Sequence, residues 1–290
     1  MPIDRLDALL SRFHLEARVF HSGLLCGTHE FDTGDGAGHM HVVRRGPLTI
    51  ANPRGRPVRV EEPSLVLYPG PMAHRFICDP KVGAEMVCAT VRIGEGGSNP
   101  LLRSLPAFVV IPLAAMEPLE PTLELLFAEA FAARCGRQAA VNRLFEVVMI
   151  QVLRFAMVEG RTSTGMLAGL AHPALAKAIV AMHERPGFEW TLESLAARAG
   201  MSRSRFAAAF RETVGVTPGA YLADWRLAVA RDLLRRGKPL KVVANEVGYG
   251  SSVALSRAFR SRTGRSPRAW KALAAGAGPP PRDASTAAGA

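Results

Sequence analysis

Cysteine, uninterrupted apolar runs and, over one third of the chain, acidic residues are all scarce here. The four cysteines, Cys26, Cys78, Cys88 and Cys135, include no Cys-x-x-Cys pair. This argues against a structural zinc site, and in a reducing cytosol they stay thiols. The most apolar later run, "LFEVVMIQVLRFAMV", is broken by Glu146, Gln151 and Arg154, which argues against a membrane span. The opening "MPIDRLDALLSRF" alternates charged and apolar residues and lacks the apolar stretch of a signal peptide. A cytoplasmic protein is the expectation. Acidic residues thin out only late: from His172 to Ala275 there are 18 Lys and Arg against 7 Asp and Glu. That block holds the whole net charge of +11. Such asymmetry points to a nucleic-acid-binding domain attached to a neutral one, against the plainer reading of a solvated basic surface.

What is present falls into segments. Residues 18–93 read as short strands, with "EPSLVLYPG" and "AEMVCATVRI" separated by turn sequences such as "DTGDGAG", "ANPRGRP" and "CDPKVG". "GDGAG" opens no helix and is taken as a hairpin loop. A small β-barrel or sandwich is expected. From Pro118, "LEPTLELLFAEAFAARCG" and "QAAVNRLFEVVMIQVLRFAMVEG" read as two helices, each ending at glycine. The second is apolar around most of its circumference from Val141 to Val158, so it packs on more than one side, with a second subunit as one occupant. "GRTSTGMLAG" reads as a linker, and "GAGPPPRDASTAAGA" as a disordered tail.

In the basic block, "HPALAKAIVAMHERPG" is a helix with Pro173 in its first turn. "WTLESLAARAGMSRSRFAAAFRETVG" gives two short helices. Thr191 caps the first, with Glu193 near its positive end. Leu192, Leu195, Ala196 and Ala199 are assigned to its buried side. Gly200 turns the chain, Ser202 caps the second helix, and Phe206 and Phe210 pin it. This is a helix-turn-helix. The pattern returns in "PLKVVANEVGYGSSVALSRAFRSRTGRSP", where Ser251 or Ser252 caps a helix pinned by Leu255 and Phe259. Between them, "TPGAYLADWRLAVARDLLRRG" is one long helix whose Leu222, Leu227, Ala230 and Leu234 pack inward.

Two such units, with G-x-x-P after the first and S-P after the second, resemble the AraC/XylS family of bacterial transcription regulators over residues 172–273. The resemblance implies two recognition helices in neighbouring major grooves. Base readers would then be Arg203, Ser204, Ala207 and Ala208, followed by Ser252, Val253, Ser256 and Arg257. Arg257 is the best placed for a bidentate grip on guanine. Ala207 and Ala208 cannot donate hydrogen bonds, so the second unit should carry more of the polar readout. Ser202, Arg205, Arg211, Lys241, Ser251, Arg260 and Arg262 are candidate phosphate contacts.

The strand-rich part resembles the cupin-type sensor domain of the same family through "HMHVVRRG" and "EEPSLVLYPGPMAHRF". Metal cupins have His-x-His, a Glu soon after, and a His beyond a P-x-G turn. His39, His41, Pro69, Gly70 and His74 fit, but Arg44 and Arg45 stand where the Glu would be. Three readings stay open: the histidines are fold remnants, they bind a divalent metal or a small ligand, or the barrel is a metal-dependent enzyme. No cofactor is required by the first, and the basic block argues against the third. Cys26 and Cys88, both on expected strands, resemble the subgroup responding to reactive chlorine species. The plain alternative is buried thiols acting as small hydrophobes.

The expected fold class is α+β: a cupin-like barrel (1–117), a helical pair for dimerisation (118–160), a linker (161–171), an all-α double helix-turn-helix (172–275) and a tail (276–290). The expected function is sequence-specific DNA binding controlled by a small molecule or oxidant. The resemblance favours activation through RNA polymerase and leaves repression open. The alternatives are a cupin enzyme or an effector-independent DNA binder.

Overall fold

The computed structural model describes residues 3–276, except 33, 35, 54, 95–100 and 160–163. The expected tail beyond 276 and the start of the expected linker lie outside the described residues. The chain divides into two units, 1–185 with 190–222, and 186–189 with 223–290.

Among the described residues, the first unit is built around nine strands: β1 (Leu15–Leu25), β2 (Gly27–Phe31), β3 (Gly38–Arg45), β4 (Leu48–Ala51), β5 (Val58–Val60), β6 (Ser64–Tyr68), β7 (His74–Cys78), β8 (Ala84–Ile93) and β9 (Val109–Pro112). They form two antiparallel sheets, ordered β1-β8-β3-β6-β9 and β2-β7-β4-β5. "GDGAG" therefore joins strands of different sheets and is not a hairpin loop. Between the sheets lie Leu25, Val43, Ile50, Val66, Phe76 and Met86, all buried. The apolar faces of both sheets are removed from water here, which stabilises the barrel by roughly 25 cal/mol per Å² of apolar surface. At the β7–β8 turn Asp79 Oδ1 accepts the Lys81 and Val82 N–H groups. Gly83, at φ 68°, completes that turn.

Short helix α1 (Asp7–Leu10) precedes the barrel; α2 (Glu120–Ala130) and α3 (Arg137–Val158) follow it. The first of this pair stops at Ala130, and Gly136, expected to end it, instead starts α3 with φ 79°. Edge strand β1 is covered by α3. Val19 N–H donates to Asn142 Oδ1 (2.8 Å), and Gln138 Nε2 donates to Val19 O (2.8 Å). No described helix is long and apolar enough to cross a membrane.

Where a linker was expected, Met166–Ala171 form α4, with Met166, Leu167, Gly169 and Leu170 buried. Helix α5 (Leu175–Glu184) follows. Pro173 lies just ahead of it, and His172 Nδ1 supplies the cap by accepting the Ala174 and Leu175 N–H groups (both 3.2 Å). The first helix-turn-helix is α6 (Leu192–Ala199) and α7 (Arg203–Val214). Helix α8 (Pro218–Arg235) begins in the first unit and continues into the second.

The second unit contains α9 (Leu240–Glu246), α10 (Ser252–Thr263) and α11 (Pro267–Gly276). Its core is Trp225, Val243, Ala244, Val247, Leu255 and Phe259. Gly248, at φ 77°, comes so close to Gly187 that an added Cβ would lie 2.8 Å from the Gly187 carbonyl oxygen. The "GYG" turn thus needs glycine for both conformation and space.

Candidate functional site

Each recognition helix is started by a serine and anchored by two apolar side chains four residues apart. In the first unit Ser202 Oγ accepts the Arg205 N–H, and Phe206 and Phe210 are fully buried. In the second, Ser251 rather than Ser252 is the cap, its Oγ accepting the Ala254 N–H at 3.1 Å, with Leu255 and Phe259 buried. These anchors fix which face turns outward. Arg203, Ser204, Arg205, Ala208 and Arg211 are exposed on α7, with Ala207 half-buried. On and beside α10, Ser251, Val253, Arg257, Arg260 and Arg262 are exposed, and Ser252 and Ser256 are half-buried. Lys241 is exposed on α9.

Several neighbours were not legible in sequence. Arg203 forms an ion pair with Glu193 of α6 at 2.6 Å. Arg262 pairs with Asp224 of α8 at 3.2 Å. Thr191 caps α6 as expected, with Glu193 in its first turn, and Ser194 closes a capping box with it. Leu192, assigned to the buried side, is 42% exposed. It lines a groove of about 550 Å³ together with Trp190, Ala207, Ala208 and Arg211. As residue N1, Leu192 lies ahead of the turn that packs inward.

In the barrel, alternation along β3 puts His39, His41 and Val43 on its inner face. His74 opens β7 in the opposing sheet. One ring nitrogen from each of His39, His41 and His74 falls within 4.8 Å of the others, and all three residues are buried. His74 Nδ1–H donates to Met72 O at 2.8 Å, which leaves its Nε2 as an acceptor. His41 Nε2 lies 2.9 Å from that atom and supplies the proton between them. His41 Nδ1 is buried with no hydrogen-bond partner. Burial holds His41 well below the ordinary imidazole range and His74 at about 4, so both are neutral near pH 7.

Aromatic rings surround the cluster. His74 is stacked between Tyr68 (3.8 Å) and Phe31 (4.9 Å). A bulge in β1 between Val19 and His21 brings Phe20 against His39 and His41. The arginines do not oppose a cation here. A second irregularity, between Val43 and Arg45, turns them outward to Glu85 (Arg45 at 2.6 Å, Arg44 at 3.4 Å). Three buried imidazoles with converging nitrogens, one fixed by a backbone carbonyl, form a donor set that fits a divalent transition metal.

Cys88 lies on strand β8 as expected, but Cys26 falls between β1 and β2, where the chain passes from one sheet to the other. Cys88 is fully buried directly across from His41. Burial first, and Cys78 second, raise its thiol far above the ordinary range. Cys78 is buried across from Gly27, and its thiol is raised by burial and by Cys26. Cys26 is exposed. Cys78 thus lies close enough to both Cys26 and Cys88 for their charges to be felt, a neighbourhood set by the folding of β7.

A barrel joined to two serine-capped helix-turn-helix units in a basic block defines a DNA-binding transcription regulator. The cupin family model matches residues 4–157, and a helix-turn-helix domain model matches 195–272. The chain is 30% identical over 246 residues to the "RCS-specific HTH-type transcriptional activator RclR" of Escherichia coli (strain K12), covering 81% of this chain and 86% of that protein. It is 36% identical over 292 residues to a "Putative AraC-like transcription regulator" of Streptomyces lividans, covering 91% and 95%. The solved DNA-binding domain of AdpA, in complex with a target DNA, is 35% identical over 34% of this chain and 89% of that one, with a TM-score of 0.33. The chain belongs to the AraC-type transcription regulators that carry an N-terminal cupin domain.

Proposed function

We propose that this regulator is a one-component switch whose barrel senses an effector at His39, His41 and His74 and thereby sets the activity of the DNA-binding helices. The observation that carries this reading is the convergence of three buried imidazoles from two facing sheets, rimmed by Phe20 and Phe31. A divalent metal, held by these three side chains, would supply a positive charge between the two sheets. A small organic ligand accepting or donating at the same nitrogens is the other occupant of this site. The regulator acts in the cytoplasm as an activator that contacts RNA polymerase. It works as a homodimer through the outer face of α3, where Val147 and Val158 are exposed. The test is footprinting of the untagged full chain on upstream DNA, with metal content measured before and after chelation. Metal-dependent protection is expected. Protein free of metal whose footprint ignores added zinc, iron and copper would end the metal reading.

A second effector reading rests on the exposed Cys26 beside the buried Cys78. Hypochlorous acid would oxidise the two thiols to a disulfide and be reduced to chloride and water. Cys88 is too deeply buried to react without opening of the barrel. Full oxidant-dependent transcription in a Cys26→Ser, Cys78→Ser variant would rule this out.

A further inference from the structure

Helix α4 is only six residues long, yet both of its ends are held by the sensor half. At its start, Met166 N–H donates to Ser104 Oγ at 3.1 Å. At its end, Arg5 Nη1 donates to the carbonyls of Leu170 (3.1 Å) and Ala171 (2.9 Å). A guanidinium there satisfies carbonyls that the helix itself leaves open and suits the negative end of its dipole. Arg12 does the same for α5, donating to His183 O (3.0 Å) and Glu184 O (2.8 Å). Leu6, Leu9 and Phe13, between and beside these arginines, are buried. The segment around α1 is thus a clasp with a polar grip at each end and an apolar middle.

The opposite side of α4 meets the first recognition helix. Gly165 N–H donates to Thr213 O in the last turn of α7 (3.1 Å). A Cβ on Gly169 would lie 2.9 Å from Val214 Cγ2 and 2.5 Å from Ile179 Cδ1, so α4 sits as close to α7 and α5 as glycine permits. Toward the barrel, Ser104 belongs to a stretch whose Leu102 and Leu105 line a cavity of about 200 Å³ with Met72. The Met72 carbonyl fixes His74. His74 and Met72, the cavity that Met72 shares with the 102–105 stretch, α4 and the C-terminal turn of α7 therefore follow one another in space.

We propose that α4 is the transmission element of this regulator, held by Ser104 and Arg5 and setting the order of α7, with the residues 4–13 acting as its clasp. The clasp's arginines bond backbone carbonyls of α4 and α5, not the outward side chains of α7. It acts by preorganising the helix that carries them, and loosening it lowers DNA affinity because order must then be supplied on binding. The inference rests on the barrel being the sensing half, but not on which ligand it takes. Ligand-free protein suffices to test it.

The experiment compares full-length wild type with Ser104→Ala and, separately, Arg5→Ala, which sit at opposite ends of α4. Amide exchange is followed by mass spectrometry, and affinity is measured on a duplex selected from a random library by the wild-type protein. Loss of one cap should speed exchange in 166–171 about fivefold. Transmission requires the same variants to speed exchange in 206–215 and weaken binding about threefold or more. Arg5→Lys, which keeps a cation at the carbonyls, should restore most of both. Faster exchange confined to 4–13 and 166–171, with unchanged affinity, would show a merely local contact and overturn the proposal. Gly169→Ala approaches the helix from the α7 side. Unaltered exchange in α7 in that variant would also overturn it. None of these outcomes depends on metal or oxidant, so failure of either effector reading leaves the test intact.

Discussion

Arg203, in the first turn of recognition helix α7, lies 2.6 Å from Glu193 of α6, with both side chains about two-thirds exposed. An exposed pair of this kind is worth less than about 1 kcal/mol, so a phosphate or base can compete for the guanidinium. Glu193→Gln should release Arg203 and remove a negative charge beside the DNA-facing surface. Binding to random duplex is expected to tighten by a few fold, with a steeper dependence on salt. Fluorescence anisotropy at several salt concentrations measures both.

Arg257 stands on the exposed side of α10, with buried Leu255 and Phe259 on the other. Its replacement by alanine should cost about 1–3 kcal/mol on the selected site and relax the preference at one base pair. Equal loss on selected and random DNA would show that the side chain contacts phosphate instead.

Ser251 begins α10 with a side-chain hydrogen bond to the Ala254 N–H. Ser251→Ala should reduce stability by about 1 kcal/mol, while Ser251→Asp should be nearly neutral for folding. The aspartate should still weaken DNA binding, because it places a negative charge where a phosphate is expected. Thermal melting and binding data together separate the capping and contact roles.

His183 is buried with its Nε2 2.6 Å from the Tyr221 hydroxyl, and burial, followed by the nearby Arg12 charge, lowers it to about 3. The unfolded chain, with a value near 6.5, takes up the proton first. This contribution to stability is therefore intact above about pH 6.5 and is lost as pH falls toward 3. At pH 5 the loss is about 2 kcal/mol. His183→Gln should flatten the decline in melting temperature between pH 7 and 5 relative to wild type. Parallel curves for the two proteins would contradict a neutral buried imidazole.

The parts of this fold that were legible in sequence are those governed by local spacing. Phe206 with Phe210, and Leu255 with Phe259, announced two anchored helices because residues four apart share a face. His39 and His41 announced one inner face of a strand for the corresponding reason. What stayed hidden depends on partners distant in sequence. Glu85 is some forty residues from Arg44 and Arg45, and only its position on β8 explains why both arginines turn outward. The glycines of "GMLAG" give α4 the look of a linker, whereas Gly165 and Gly169 serve close packing. Strand β9 leaves little signal because "VVIP" is short and ends in proline, as the edge strand beside β6 can. Nothing in the sequence around Cys78 places it near Cys26, because the two are brought together only by the pairing of β2 with β7.

The side chains of Gln138 and Asn142 occupy the hydrogen-bonding groups of Val19 on the outermost strand of the larger sheet. An open strand edge is the surface on which another chain can add and then template further addition. Helix α3 thus works as a stopper as well as a packing element: its polar side chains imitate a neighbouring strand without offering an edge of their own. Removing Asn142 and Gln138 together would leave the barrel core intact while exposing a growth point for aggregates. Solubility at high concentration is then a property that α3 confers on the barrel.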